Sequence, residues 1–135
     1  MIERLKRSHF WWYQGPMILW AIALFVQSSI PSDDIPDWGI LSHDKIIHFL
    51  IYVTFAATVC RAVRFQNKYP LLAVNHYFST FLIVAMYAAS DEFHQYFLSG
   101  RDCSLLDWLA DCTGAILYLT SFWIKEKLKP EAVSE

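Results

Sequence analysis

Four apolar runs separated by short charged segments leave this chain few ways to fold. Residues 11–30, 46–60 and 71–89 carry no Asp, Glu, Lys or Arg, and 105–124 carries only Asp107 and Asp111. Three of the runs are about 20 residues long, roughly the 30 Å that an α-helix needs to cross the hydrocarbon core of a bilayer. The run 46–60 would span only about 22 Å at 1.5 Å per residue, so its helix must draw Asp44, Lys45 and His48 to the membrane boundary or just inside it. The spacing predicts spans at about 11–30, 44–62, 70–90 and 105–124. Nothing between Ser90 and Leu98 breaks a helix, so the third can continue to 98 before Ser99-Gly100 stops it. The predicted fold is an all-α membrane protein. Its four transmembrane helices form an antiparallel bundle over 10–127, flanked by an N-terminal segment 1–9 and a tail 128–135.

Composition agrees with that reading. A chain of 135 residues that is 56% hydrophobic and 18% charged is too apolar for an ordinary soluble domain. A net charge of −2 with no basic stripe excludes a nucleic-acid partner. The run 11–30 is longer than a secretory h-region and no A-x-A site follows it, so it reads as a retained span. Cys60, Cys103 and Cys112 form no close ligand pair; an odd count gives no disulfide framework, and at most Cys103 and Cys112 sit near one membrane face. No phosphate loop, zinc motif or nucleophile elbow is present.

Charge sets the orientation. Arg4, Lys6 and Arg7 precede the first run; Arg61, Arg64 and Lys68 follow the second; Lys125, Lys127 and Lys129 follow the fourth. These are nine of the eleven basic residues, leaving Lys45 and Arg101 for the opposite side. The positive-inside rule puts both termini in the cytoplasm and the acidic loops outside, as for a multi-pass protein of a bacterial inner membrane.

Ionisable side chains gather at the outer ends of the spans. Asp44, His48 and Tyr52 are spaced by four and share a helix face; Asp91 and Gln95 share another, beside Glu92; Asp107 and Asp111 share a third. Lipid solvates none of them, so they are expected to turn toward one another as a polar pocket open to the outside. Structural roles compete for each. Asp107 can act only as the capping partner of Ser104 in Ser104-Leu-Leu-Asp107, and Asp44 can simply answer a helix dipole. His48 can be a buried histidine satisfied by a carboxylate, and Arg101 can neutralise Asp91 or Glu92 instead of recognising an anion.

The run Asp44-Lys-Ile-Ile-His48-Phe-Leu-Ile-Tyr52 resembles the D-K-x-x-H-F-x-x-Y signature of VanZ-like membrane proteins. Ser90-Asp-Glu-Phe-His-Gln95, then Gly100-Arg101, Ser104 and Asp107, resembles their second signature, S/T-D-E-x-x-Q with G-R-x-x-S-x-x-D. The resemblance covers about residues 38–120. It departs at Asp111, where the family usually has Asn. It implies a membrane fold and a location in the cell envelope, in a family named for a protein associated with teicoplanin resistance. It does not imply a reaction.

Three activities fit these residues. The first is recognition of a cell-wall precursor, a lipid-linked component or a glycopeptide, with Arg101 on a phosphate or carboxylate and Asp91, Glu92 and Gln95 on sugar or peptide. The second is a membrane-embedded hydrolase or transferase. In it, Asp44, His48, Glu92, Asp107 and Asp111 hold a divalent metal, or His48 acts as general base with Ser104 or water as nucleophile. The third is proton or cation relay through Asp107 and Asp111, which lacks a polar series in the inner half of the bundle. Membrane lipids are the one partner common to all three.

Overall fold

The computed structural model describes residues 2–31 and 44–129, with side chains for 9–31 and 46–129. The loop 32–43, the tail beyond 129 and the side chains of Asp44 and Lys45 lie outside the described residues, as does most of the N-terminal segment's side-chain detail. Five helices and no strand occur among the described residues: α1 (Ile2–Ser28), α2 (Asp44–Arg64), α3 (Pro70–Val74), α4 (His76–Gln95) and α5 (Leu105–Lys127). One stretch, Ile46–Arg64 in α2, is both long enough and apolar enough throughout to cross a membrane by length and composition. The other long helices are diluted by Trp, Tyr, Ser and Thr and by acids near one end.

Helix α2 is the centre of the bundle and packs on α1, α4 and most extensively α5. It supplies Tyr52, Phe55, Ala56, Val59 and Val63 to the buried core, a helical stripe at intervals of three and four. Leu24 of α1, Val84 and Ala88 of α4 and Ala115 of α5 close around that stripe. Gly114 lets α5 come unusually near: a Cβ there would stand 2.5 Å from the Phe49 carbonyl oxygen. Cross-helix bonds to main-chain carbonyls tie α4 to α1 and α5. The Tyr87 hydroxyl donates to Ala21 at 2.6 Å, and the Trp108 indole N–H donates to Ala85 at 3.0 Å.

Helices α2 and α5 both run from the end that carries His48 toward the end that carries Arg64, while α1 and α4 run the other way. Consecutive long helices are therefore antiparallel, and the tightest pair is parallel. At the Arg64 end, Arg64 and Tyr77 both bond Glu126, joining α2, α4 and α5.

Two details differ from the sequence expectation. The third hydrophobic stretch is interrupted at Asn75, whose side-chain amide and backbone N–H both bond the Leu71 carbonyl. That local bond competes with helix continuation and splits α3 from α4. At its other end α4 stops at Gln95 instead of reaching 98. The following turn is closed by bonds from Phe97 to His94 and Leu98 to Gln95, and Gly100 takes a positive φ of 69°.

Candidate functional site

The buried stripes of three helices change character at the same end of the bundle. On α4 the sequence of fully or nearly buried positions is Thr80, Val84, Ala88, then Asp91, Glu92 and Gln95. On α5, Leu119 and Ala115 lead to Asp111, and on α2, Val59 and Phe55 lead to Tyr52 and His48. Helical spacing thus carries the acids inward along the line the apolar side chains have already set.

The outcome is a dry polar centre. His48 is 7% exposed, Glu92 3% and Asp111 0%. The His48 Nδ1 lies 3.2 Å from Asp111 Oδ1. Donor atoms of His48, Glu92 and Asp111 all fall within 4.8 Å of one another. Glu92 Oε2 accepts the Ser104 backbone N–H at 2.7 Å, whereas Glu92 Oε1, Asp111 Oδ2 and the Tyr52 hydroxyl are buried with no hydrogen-bond partner. An unpaired polar atom in such a place is costly, and three of them meet in this centre.

Asp91 and Gln95 stand beside the trio. With His48, Tyr52, Leu24 and Ser28 they line a cavity of about 10 Å³, space for one water. Ser28 and Gln27 of α1 were not among the sequence candidates, although Gln27-Ser28-Ser29 is the polar end of an otherwise apolar run. Ser104 caps α5: its Oγ accepts the Asp107 N–H at 3.2 Å, as the capping pattern predicts.

Arg101 does not join the acids. Its Nε and Nη2 both approach the Ile30 carbonyl at 3.4 Å, so of the two roles open to it, neutralisation of Asp91 or Glu92 is not the arrangement found. The loop after Gln95 turns the arginine toward the end of α1. His94 bonds Ser29 at 3.0 Å and packs on Phe25 with ring centroids 4.9 Å apart. Cys103 is exposed and Cys112 buried, and both are free thiols, so no bridge joins them. Asp44, the remaining candidate, begins α2, and its side chain lies outside the described residues.

A larger cavity lies elsewhere. At the Arg64 end, a cleft of about 620 Å³ opens between α1, α2 and α4, lined by His9, Gln14, Met17, Val63, Lys68 and Ile83 among others. It contains none of the candidate residues. Volume and chemistry are thus found at opposite ends of the bundle, and the chemistry lies at the His48 end.

What the polar centre can do follows from its atoms. One imidazole and two carboxylates from three helices can bind a cation, accept protons, or hydrogen-bond a polar ligand that enters from the adjoining loops. No curated protein and no solved structure matches the chain. A family model described as VanZ/LLP1 matches residues 5–126, a range that contains every residue of the polar centre and all of the helices but the first turn of α1 and the last residue of α5. On that match, the chain belongs to the VanZ/LLP1 family.

Proposed function

We propose that the protein is an integral membrane protein of the bacterial cell envelope that recognises a lipid-linked or cell-wall component, or a glycopeptide, at the His48 end. In this reading four spans, about 11–30, 44–62, 70–90 and 105–124, cross the inner membrane with both termini in the cytoplasm. Large apolar side chains are exposed on every long helix, among them Trp12, Leu19, Leu50, Phe78, Met86 and Ile116. So broad an apolar exterior is out of character for a monomer in water and fits a lipid-facing perimeter. The nine basic residues at the Arg64 end support the orientation.

The observation that carries the recognition reading is the convergence of His48, Glu92 and Asp111, with Asp91 and Gln95 beside them, at the end that also bears Arg101. Polar groups buried in a lipid-embedded bundle are retained at a cost that recognition explains. Among the described residues Arg101 makes long contacts to one carbonyl, and its guanidinium can exchange them for a phosphate or carboxylate. Thermal melting of the detergent-purified protein with lipid-linked wall precursor, glycopeptide and phospholipid tests this. The reading expects one of these to stabilise the wild type and to lose that effect in Arg101→Ala. Stabilisation that survives the substitution removes Arg101 from the site, and no stabilisation by any of them removes the reading.

A second reading, a hydrolase or transferase acting on a lipid-linked substrate, is favoured by the bond between His48 and Asp111. A carboxylate that orients an imidazole is the arrangement a general base needs. Release of product from a lipid-linked phosphate, abolished in His48→Ala, separates catalysis from binding.

A further inference from the structure

We propose that His48, Glu92 and Asp111 form a binding site for one first-row divalent cation, zinc or manganese in type, shared by α2, α4 and α5. The site deepens the recognition reading in that it occupies the same polar centre and so rests on that centre's being a site.

Three observations lead to it. The donors come from three different helices and lie within 4.8 Å of one another, so a cation would join elements that the chain connects only through loops. Ligand bonds of about 2.0–2.2 Å need donors roughly 3–3.5 Å apart, a contraction of at most about 1.5 Å that rotamer adjustment can supply. The second observation is that Glu92 Oε1 and Asp111 Oδ2 are both buried and unpartnered. Each is a lone-pair donor with nothing to bond, in a region from which water is nearly excluded. The third is charge. Among the described residues, the partners found for these carboxylates are an imidazole and a backbone N–H, not a guanidinium or an ammonium. Two carboxylates and a neutral imidazole carry a charge that a divalent ion neutralises.

The donor set also selects the ion. One nitrogen and two carboxylate oxygens suit zinc, manganese or iron(II), whereas calcium and magnesium prefer shells made wholly of oxygen. Tyr52, Asp91 and Gln95, buried around the trio, supply groups that can bond the ligands from behind and hold their orientation.

The test uses the full chain in detergent, stripped with a chelator and titrated with zinc, manganese and magnesium salts. Bound metal is counted after equilibrium dialysis, and the melting temperature is followed in parallel. The proposal expects one equivalent of zinc or manganese per chain, a melting temperature raised by several degrees, and at least tenfold weaker binding of magnesium. Glu92→Gln and Asp111→Asn should each lose the stoichiometric ion, while Cys103→Ser keeps it. Cobalt(II) replacement in the wild type gives a readout that needs no variant. Weak d–d absorption without a thiolate charge-transfer band supports nitrogen and oxygen ligation, and a thiolate band overturns the assignment. Failure of the wild type to bind an equivalent of zinc or manganese at a hundred micromolar also overturns it. Metal binding without any ligand-induced stabilisation would leave this site standing and remove the recognition reading; the converse would remove this site alone.

Discussion

His48 and Asp111, 63 positions apart in the chain, meet at 3.2 Å at one end of the bundle. At the other end Arg64 meets Glu126 across 62 positions. The nearly equal offsets mean that α2 and α5 run side by side without slipping, pinned at both ends. Whatever disturbs their contact in the middle is therefore felt at the polar centre.

Gly114 is that contact. A methyl group at this position would press on the Phe49 carbonyl and the Val53 nitrogen, both main-chain atoms that cannot rotate away. Gly114→Ala is expected to cost about 1–3 kcal/mol, the range for overpacking a close interface, and a valine more. Denaturation in mixed detergent micelles measures this, and an unchanged midpoint would contradict the close approach.

Ser104 separates capping from ligand contact. Removing its hydroxyl should cost about 1 kcal/mol in Ser104→Ala and only a few tenths in Ser104→Gly, since glycine is itself tolerated at an N-cap. Both variants keep the backbone N–H that bonds Glu92. Ligand stabilisation should persist in both; its loss in both would show that the hydroxyl touches the ligand.

Glu126, beyond the end of the proposed fourth span, gives the bundle a pH dependence at its Arg64 end. The Tyr77 hydroxyl first, and then Arg64, hold its carboxyl below the usual 4.5. A carboxyl whose pKa falls on folding contributes stability above its unfolded value and loses that contribution as pH drops through the folded one. The melting temperature of the wild type should exceed that of Glu126→Gln at pH 7, and the gap should close as the pH is taken below about 4.5. A gap independent of pH would mean that the charge of Glu126 is not what holds Arg64 and Tyr77.

Much of this arrangement was legible before any coordinates. The spacing of His48 and Tyr52, of Asp91 and Gln95, and of Asp107 and Asp111 follows helical period, and the apolar stripes behind them point the same way. Ser104 announced its own cap. What could not be read depends on local competition or on chain-distant partners. The break at Asn75 comes from one side chain bonding its own turn, a choice that a run of apolar residues hides. The direction of Arg101 is set by a turn around Gly100, which opposite charge alone does not reveal. Glu126 stands in sequence between Lys125 and Lys127, and only the packing of α2 and α4 brings Arg64 and Tyr77 to it. The expectation of four spans rests on uncharged length; hydropathy across the aromatic-rich helices singles out α2 alone.

The central claim is that the polar centre belongs to the outer face of a membrane-embedded bundle, and Cys103 reports on it directly. This thiol is exposed in the segment between α4 and α5, at the His48 end, while Cys60 and Cys112 are buried. A membrane-impermeant maleimide applied to intact spheroplasts should label the wild-type chain and leave Cys103→Ala unlabelled. Labelling of Cys103 only after the membrane is permeabilised would put the His48 end in the cytoplasm and contradict the account.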